Sequence, residues 1–179
     1  MSNKKLKQKN GEHPKGDAGQ LIFLVLFLIT WILDSFFLGI STFMSVYIPL
    51  PIRLVVLALI ILVAIFLSMS GHEVVNHEHR PTGIVSTGAF KYVRHPLYLA
   101  SLLTYLGLAI STASWISFLL VVIIGFTFYN YIAGYEEMLL EERFGDDYMQ
   151  YKRRTGKWVP GSIISTPAKN INTAEHSAE

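Results

Sequence analysis

With 179 residues, 51% of them hydrophobic and only 16% charged, the chain has room for one domain, and its apolar residues are gathered into long runs instead of being broken by charge. That segregation excludes an ordinary soluble core and points to a membrane. A net charge of +2 gives no case for nucleic acid, and the lack of cysteine excludes disulfides, thiolate metal sites and cysteine nucleophiles.

Residues 1–19 read as a basic tail carrying Lys4, Lys5, Lys7, Lys9 and Lys15. The apolar run after it comes later than a signal peptide's and has no small-residue cleavage site, so it reads as a retained helix over 20–40, with Asp34 its only charge. Asp34 lies near the outer end of that helix, where it reads as an interfacial residue. The second span is clearest over 52–69, entered after Pro49 and Pro51, and the two N-terminal spans make up 20–70. Gly71 to Arg94 is polar and basic, a loop able to hold ligand contacts. A third, short span runs from Pro96 to about Ile110, and Ser111 to Ser114 turn it into a fourth from Trp115 to about Ala133, giving a helical hairpin. Strong helix formers carry the last helix on to Phe144, and Gly145 stops it. Residues 71–160 form the core segment, and 161–179 read as a disordered tail.

The fold expected is all-α: a polytopic integral membrane protein with about four transmembrane helices. The lysines and arginines fall in the N-terminal tail, the central loop and the segment after the fourth span, which puts both termini in the cytoplasm of a cell inner or plasma membrane.

Two polar segments then meet on the cytoplasmic side. One is Thr87-Gly88-Ala89-Phe90-Lys91-Tyr92-Val93-Arg94-His95-Pro96-Leu97-Tyr98, and the other runs from Tyr135-Glu136-Glu137 to Tyr148 and Tyr151. Glu136 suits an amine, ribose hydroxyls or a sulfonium charge. Phe90, Tyr92 and Tyr98 offer faces for adenine stacking or cation–π contact. Pro96 at the first helical position leaves backbone N–H groups for a carboxylate. Arg94 reads equally well as a membrane-surface anchor, Tyr92 and Tyr98 as interfacial belt residues, and Glu137, Glu141, Glu142 and Arg143 as a solvated helix face.

On the first of these motifs, on Glu136-Glu137 and on Phe144-Gly145-Asp146-Asp147-Tyr148-Met149-Gln150-Tyr151, the segment from Gly83 to Pro160 resembles the isoprenylcysteine carboxyl methyltransferase family and its relatives, the phospholipid N-methyltransferases. The resemblance implies a membrane methyltransferase with S-adenosyl-L-methionine in a cytoplasm-facing pocket and a lipophilic acceptor entering from the bilayer. It implies cofactor contacts from Asn76, Thr82, Gly83, Ile84, Val85, Phe90, His95, Pro96, Leu97, Tyr98 and Glu136. No catalytic base and no metal ligand is assigned. Phe90 stands where the family usually has tyrosine. Carboxyl methyltransferases of the family also place an arginine about one turn before the glutamate, and Tyr129-Asn130-Tyr131-Ile132-Ala133-Gly134 has no cation. That departure counts against a carboxylate acceptor and keeps a phospholipid or a small thiol open.

Two further activities compete with this one. Gly71-His72-Glu73-Val74-Val75-Asn76-His77-Glu78-His79 has a metal-rich look, but His72 and His77 are five apart instead of the four that align ligands on one helix face, so a polar loop is the simpler reading. A membrane reductase using NADPH shares the resemblance's C-terminal architecture. Oligomeric state is not legible.

Overall fold

A computed structural model of the protein describes residues 16–75 and 83–161, and among these residues it is all-helical with no strand. We label the helices α1 (Gly16–Leu38), α2 (Leu50–Val75), α3 (Pro96–Thr112), α4 (Trp115–Phe144) and α5 (Asp146–Arg154). α1, most of α2, and α4 are long and apolar enough to cross a membrane. α3 has 17 residues, about 25 Å at 1.5 Å per residue, slightly less than the roughly 30 Å of a hydrocarbon layer. The sequence led us to expect about four spans; the structure gives three long helices and this shorter one.

Apolar side chains turn outward, as they do when lipid is the solvent. Phe36, Phe37, Leu62, Ile65 and Phe66 are all exposed, which water would penalise and hydrocarbon does not. Inside, Phe23 and Phe27 of α1 pack ring against ring with Tyr105 of α3, and Phe23 also meets Tyr129 of α4 edge-on. Small residues let the helices approach. A side-chain carbon at Gly107 would come within 3.0 Å of Leu57, so α2 and α3 pack closely only because this position is bare.

The loop expected from Gly71 begins later, because α2 continues to Val75. Gly71 serves as a contact surface, where a Cβ would sit 2.9 Å from the Leu97 side chain. α4 includes a stretch of wider helical turn over Leu120–Gly125 and runs unbroken to Phe144. Its 30 residues span about 45 Å, longer than the roughly 30 Å of a hydrocarbon layer, and the paired acids lie in its C-terminal third. Gly145 then takes φ 54, ψ −125, a conformation essentially reserved for glycine, and folds α5 back toward the helix ends.

Asp34 is no interfacial bystander. It is buried and accepts from the Ser41 backbone N–H (2.9 Å), the Ser41 hydroxyl (2.5 Å) and the Ser114 hydroxyl (2.5 Å), fastening the end of α1 to the α3–α4 turn. Asp34→Ala strands these donors and is expected to lower stability by about 1–3 kcal/mol. Thermal unfolding in detergent checks this, with no change expected in ligand affinity because the cluster lies at the far end of the helices from the site.

Candidate functional site

Where α2, α3, α4 and α5 converge with the start of α1, a cavity of about 1060 Å³ opens. Its lining includes Gly83, Ile84, Val85, Phe90, Arg94, His95, Pro96, Leu97, Tyr98, Glu136, Arg143, Tyr148 and Tyr151. Its other walls are Ile61, Ala64, Ile65 and Ser68 of α2 with Ala100, Ser101 and Thr104 of α3. The two segments singled out in the sequence therefore face one space. Of the residues expected to contact a cofactor, Gly83, Ile84, Val85, Phe90, His95, Pro96, Leu97, Tyr98 and Glu136 all line it, while Asn76 and Thr82 lie outside the described residues.

The local chain geometry explains the gathering. Gly88 adopts φ 58 and starts a short turn over Gly88–Lys91 that leads into the segment before α3. The Tyr151 hydroxyl on α5 donates to the Phe90 carbonyl (2.7 Å), holding that turn against α5. Pro96 begins α3 without a side-chain cap from His95, and Leu97 and Tyr98 of its first turn line the cavity.

Glu136 and Glu137 are neighbours in sequence with different tasks. Glu136 accepts from the Tyr98 hydroxyl (2.5 Å), and its other oxygen lies 3.7 Å from His95 Nδ1, at the cavity wall. Glu137 points the other way and is buried, where Arg94 Nε (3.0 Å) and His95 Nε2 (3.1 Å) reach it and Lys152 Nζ lies at 3.7 Å. Two readings are corrected here. Glu137 does not belong to a solvated face, and Arg94 is no simple surface anchor: its Nη1 donates to the carbonyls of both Lys152 (3.1 Å) and Thr155. Two adjacent acids on one helix look alike in sequence; only the partners of each tell them apart. Arg143, also assigned to that face, lines the cavity, so α4 does bring a cation to it despite the lack of one over Tyr129 to Gly134.

Burial pushes the His95 imidazole below its ordinary value, against the pull of Glu137, and the positive charges of Lys157 and Arg94 add to the effect. The neutral ring donates from Nε2 to Glu137 and turns the Nδ1 lone pair toward Glu136. Two acceptors 3.7 Å apart at a cavity wall are a seat for a ligand N–H or O–H. Because the folded-state value is depressed, the associated stability is present above the unfolded value of about 6.5 and lost as pH falls through the folded one. The unfolding temperature should therefore decline below about pH 6.5, and His95→Gln should flatten that decline relative to the parent.

The donor set fits S-adenosylmethionine. A carboxylate meets an amine or ribose hydroxyls, and Phe90 offers an aromatic face. The volume is at the upper end of the roughly 300–1,000 Å³ typical of ligand pockets, leaving room for a second molecule. His72, at the head of the histidine-rich segment, lines the cavity; His77 and His79 lie outside the described residues, among which no three His, Asp or Glu side chains gather as metal ligands would.

Comparison with known proteins adds to this geometry. Over 94 residues the chain is 33% identical to methanethiol S-methyltransferase 1 of Bradyrhizobium diazoefficiens, covering 50% of this chain and 32% of that protein. Over 89 residues it is 29% identical to the protein-S-isoprenylcysteine O-methyltransferase of Schizosaccharomyces pombe, covering 50% and 38%. The matched stretches thus span about a third of either relative. The family model for phospholipid methyltransferase matches residues 50–147, more than half of the chain and all of α3 and α4. The membrane-spanning helices, the motif around His95 and the paired acids agree with that match: the chain belongs to the phospholipid methyltransferase family, within which the isoprenylcysteine methyltransferase-like sequence resemblance holds.

Proposed function

We propose that the protein transfers a methyl group from S-adenosylmethionine to a lipophilic acceptor, in the manner of isoprenylcysteine carboxyl methyltransferases, with the cavity facing the cytoplasm. The observation that carries this reading is one cavity in which Glu136, Tyr98, His95 and the first turn of α3 share a space with the small and apolar side chains of α2 and α3. When bound, S-adenosylmethionine supplies a methyl group already activated on sulfur. Glu136 then accepts from the cofactor's donors and opposes its positive charge, while the Tyr98 hydroxyl fixes the carboxylate's orientation. His95 Nδ1 accepts beside it. Ile61, Ala64, Ile65 and Ala100 keep water out and admit an apolar acceptor. Alignment of acceptor, methyl and sulfur is the main task left to the protein, and a carboxylate or thiolate acceptor needs no base.

The names of the relatives make a carboxylate and a thiol the first acceptors to try. The test is incubation of the purified full chain with methyl-labelled S-adenosylmethionine and a membrane lipid extract, with prenylated cysteine and a small thiol in parallel. Label is expected in an organic-soluble product; label that never leaves the donor in any of these mixtures would count against the proposal.

A further inference from the structure

His95 is enclosed by more than the two acids. The Tyr98 ring lies parallel to it, with centroids 5.8 Å apart, and the Trp158 ring lies against it at 5.9 Å and 41°. Trp158 stands beyond α5 and beyond the residues matched by the family model, in a segment that crosses back over the site.

That segment is tied down at both ends. On one side the Arg94 N–H donates to the Gly156 carbonyl (2.9 Å), directly before His95. On the other, the Trp158 indole N–H donates to Asn130 Oδ1 (3.2 Å), Lys157 Nζ donates to the Asn130 carbonyl (3.2 Å), and the indole meets Phe126 at 5.7 Å. Asn130 is on α4, less than two turns before Glu136. One indole thus touches both the imidazole and the helix that carries its two carboxylate partners.

We propose that Trp158 is a positioning residue for His95: tethered to Asn130, it fixes how the imidazole stands between Glu136 and Glu137 and keeps water from the ring. Without it, His95 keeps its bond to Glu137 but gains room to tilt, and Nδ1 no longer holds its place beside Glu136. The charged and titratable groups facing the ring are Glu136 and Glu137 from α4, Arg94 from its own segment, Lys157 from the crossing segment, Tyr98 from α3 and, through Glu137, Lys152 from α5. Of these, only Lys157 touches the indole, its Nζ lying 6.0 Å from the ring centroid, and the Asn130→Leu variant leaves that contact in place.

The proposal rests on the nucleoside-binding reading only in its second readout. The first is nitrogen NMR of the imidazoles in the full chain in detergent, with His95 assigned by the signal lost in His95→Gln. The parent is expected to show a neutral ring protonated at Nε2, titrating below about 6.5. Trp158→Ala should raise that midpoint and mix the tautomers, and weaken S-adenosylhomocysteine binding about tenfold. Asn130→Leu, which keeps the indole and removes its tether, should shift both readouts the same way by less. Trp158→Phe, which keeps a ring, should restore most of the parent behaviour. A purely structural tryptophan would lower the unfolding temperature and leave the titration unmoved. Parent-like midpoint and tautomer in Trp158→Ala, or in Asn130→Leu should the alanine variant not fold, overturn the proposal. Shifted ring signals in a protein that binds no nucleoside even as the parent would uphold the positioning role and remove the methyltransferase reading instead.

Discussion

Glu137→Ala is expected to destabilise the protein by about 3–5 kcal/mol, the cost of breaking a buried ion pair and leaving its partner behind. The carboxylate is reached by Arg94 at 3.0 Å and His95 at 3.1 Å, with Lys152 at 3.7 Å, and its side chain is 8% exposed. Removing it leaves a guanidinium buried without its carboxylate and takes away the acceptor of the imidazole's 3.1 Å hydrogen bond. The loss spreads further, because Arg94 also holds the Lys152 and Thr155 carbonyls and so fastens the segment after α5. Glu137→Gln keeps the volume and one acceptor, and should fall between parent and alanine variant. Thermal unfolding in detergent measures both; an alanine variant within about 1 kcal/mol of the parent would mean that the buried cluster contributes little.

Glu136→Ala should have the opposite profile. Its carboxylate lies at the cavity wall, so stability should stay within about 1 kcal/mol while affinity for S-adenosylhomocysteine falls about 10- to 100-fold, the range for losing hydrogen bonds to a charged group. Tyr98→Phe removes only the hydroxyl that orients Glu136 and should cost less than Glu136→Ala. Isothermal titration on the three proteins gives the order. Equal affinity in parent and Glu136→Ala would show that the acid has no ligand to hold. Together, the pair separates two adjacent glutamates into one that holds the fold and one that meets the ligand.

Much of the architecture could be read from the chain because lipid imposes a coarse rule: long apolar runs must be helices. The hairpin of α3 and α4, the extension of the last helix to Phe144 and the break at Gly145 all follow from hydropathy, helix propensity and one glycine. The length of α2 was missed since Gly71-His72-Glu73 is polar, and polarity reads as loop where a helix is leaving the membrane. The site was legible at the level of segments: the motif around His95 and the acids near residue 136 line the same cavity.

That Glu136 faces the cavity came from the family resemblance alone; the chemistry of the two acids does not separate them, since side-chain direction on a helix depends on the partners, and Arg94 and Lys152 come from elsewhere. Asp34 was misread for the same reason: its serine donors Ser41 and Ser114 are ordinary turn residues until the fold brings them to one carboxylate. Trp158 carried no signal at all. A tryptophan near a membrane is common at the interface, and only the contact with His95 gives it a further role.

The central claim is that one sulfonium nucleoside sits between the start of α3 and the exposed end of α4. Equilibrium binding of S-adenosylhomocysteine to the purified chain, beside NADPH as a control, tests it most directly. We predict saturable binding of the first at one site per chain and none of the second. Binding of the reduced dinucleotide in its place, or of neither, would contradict the account.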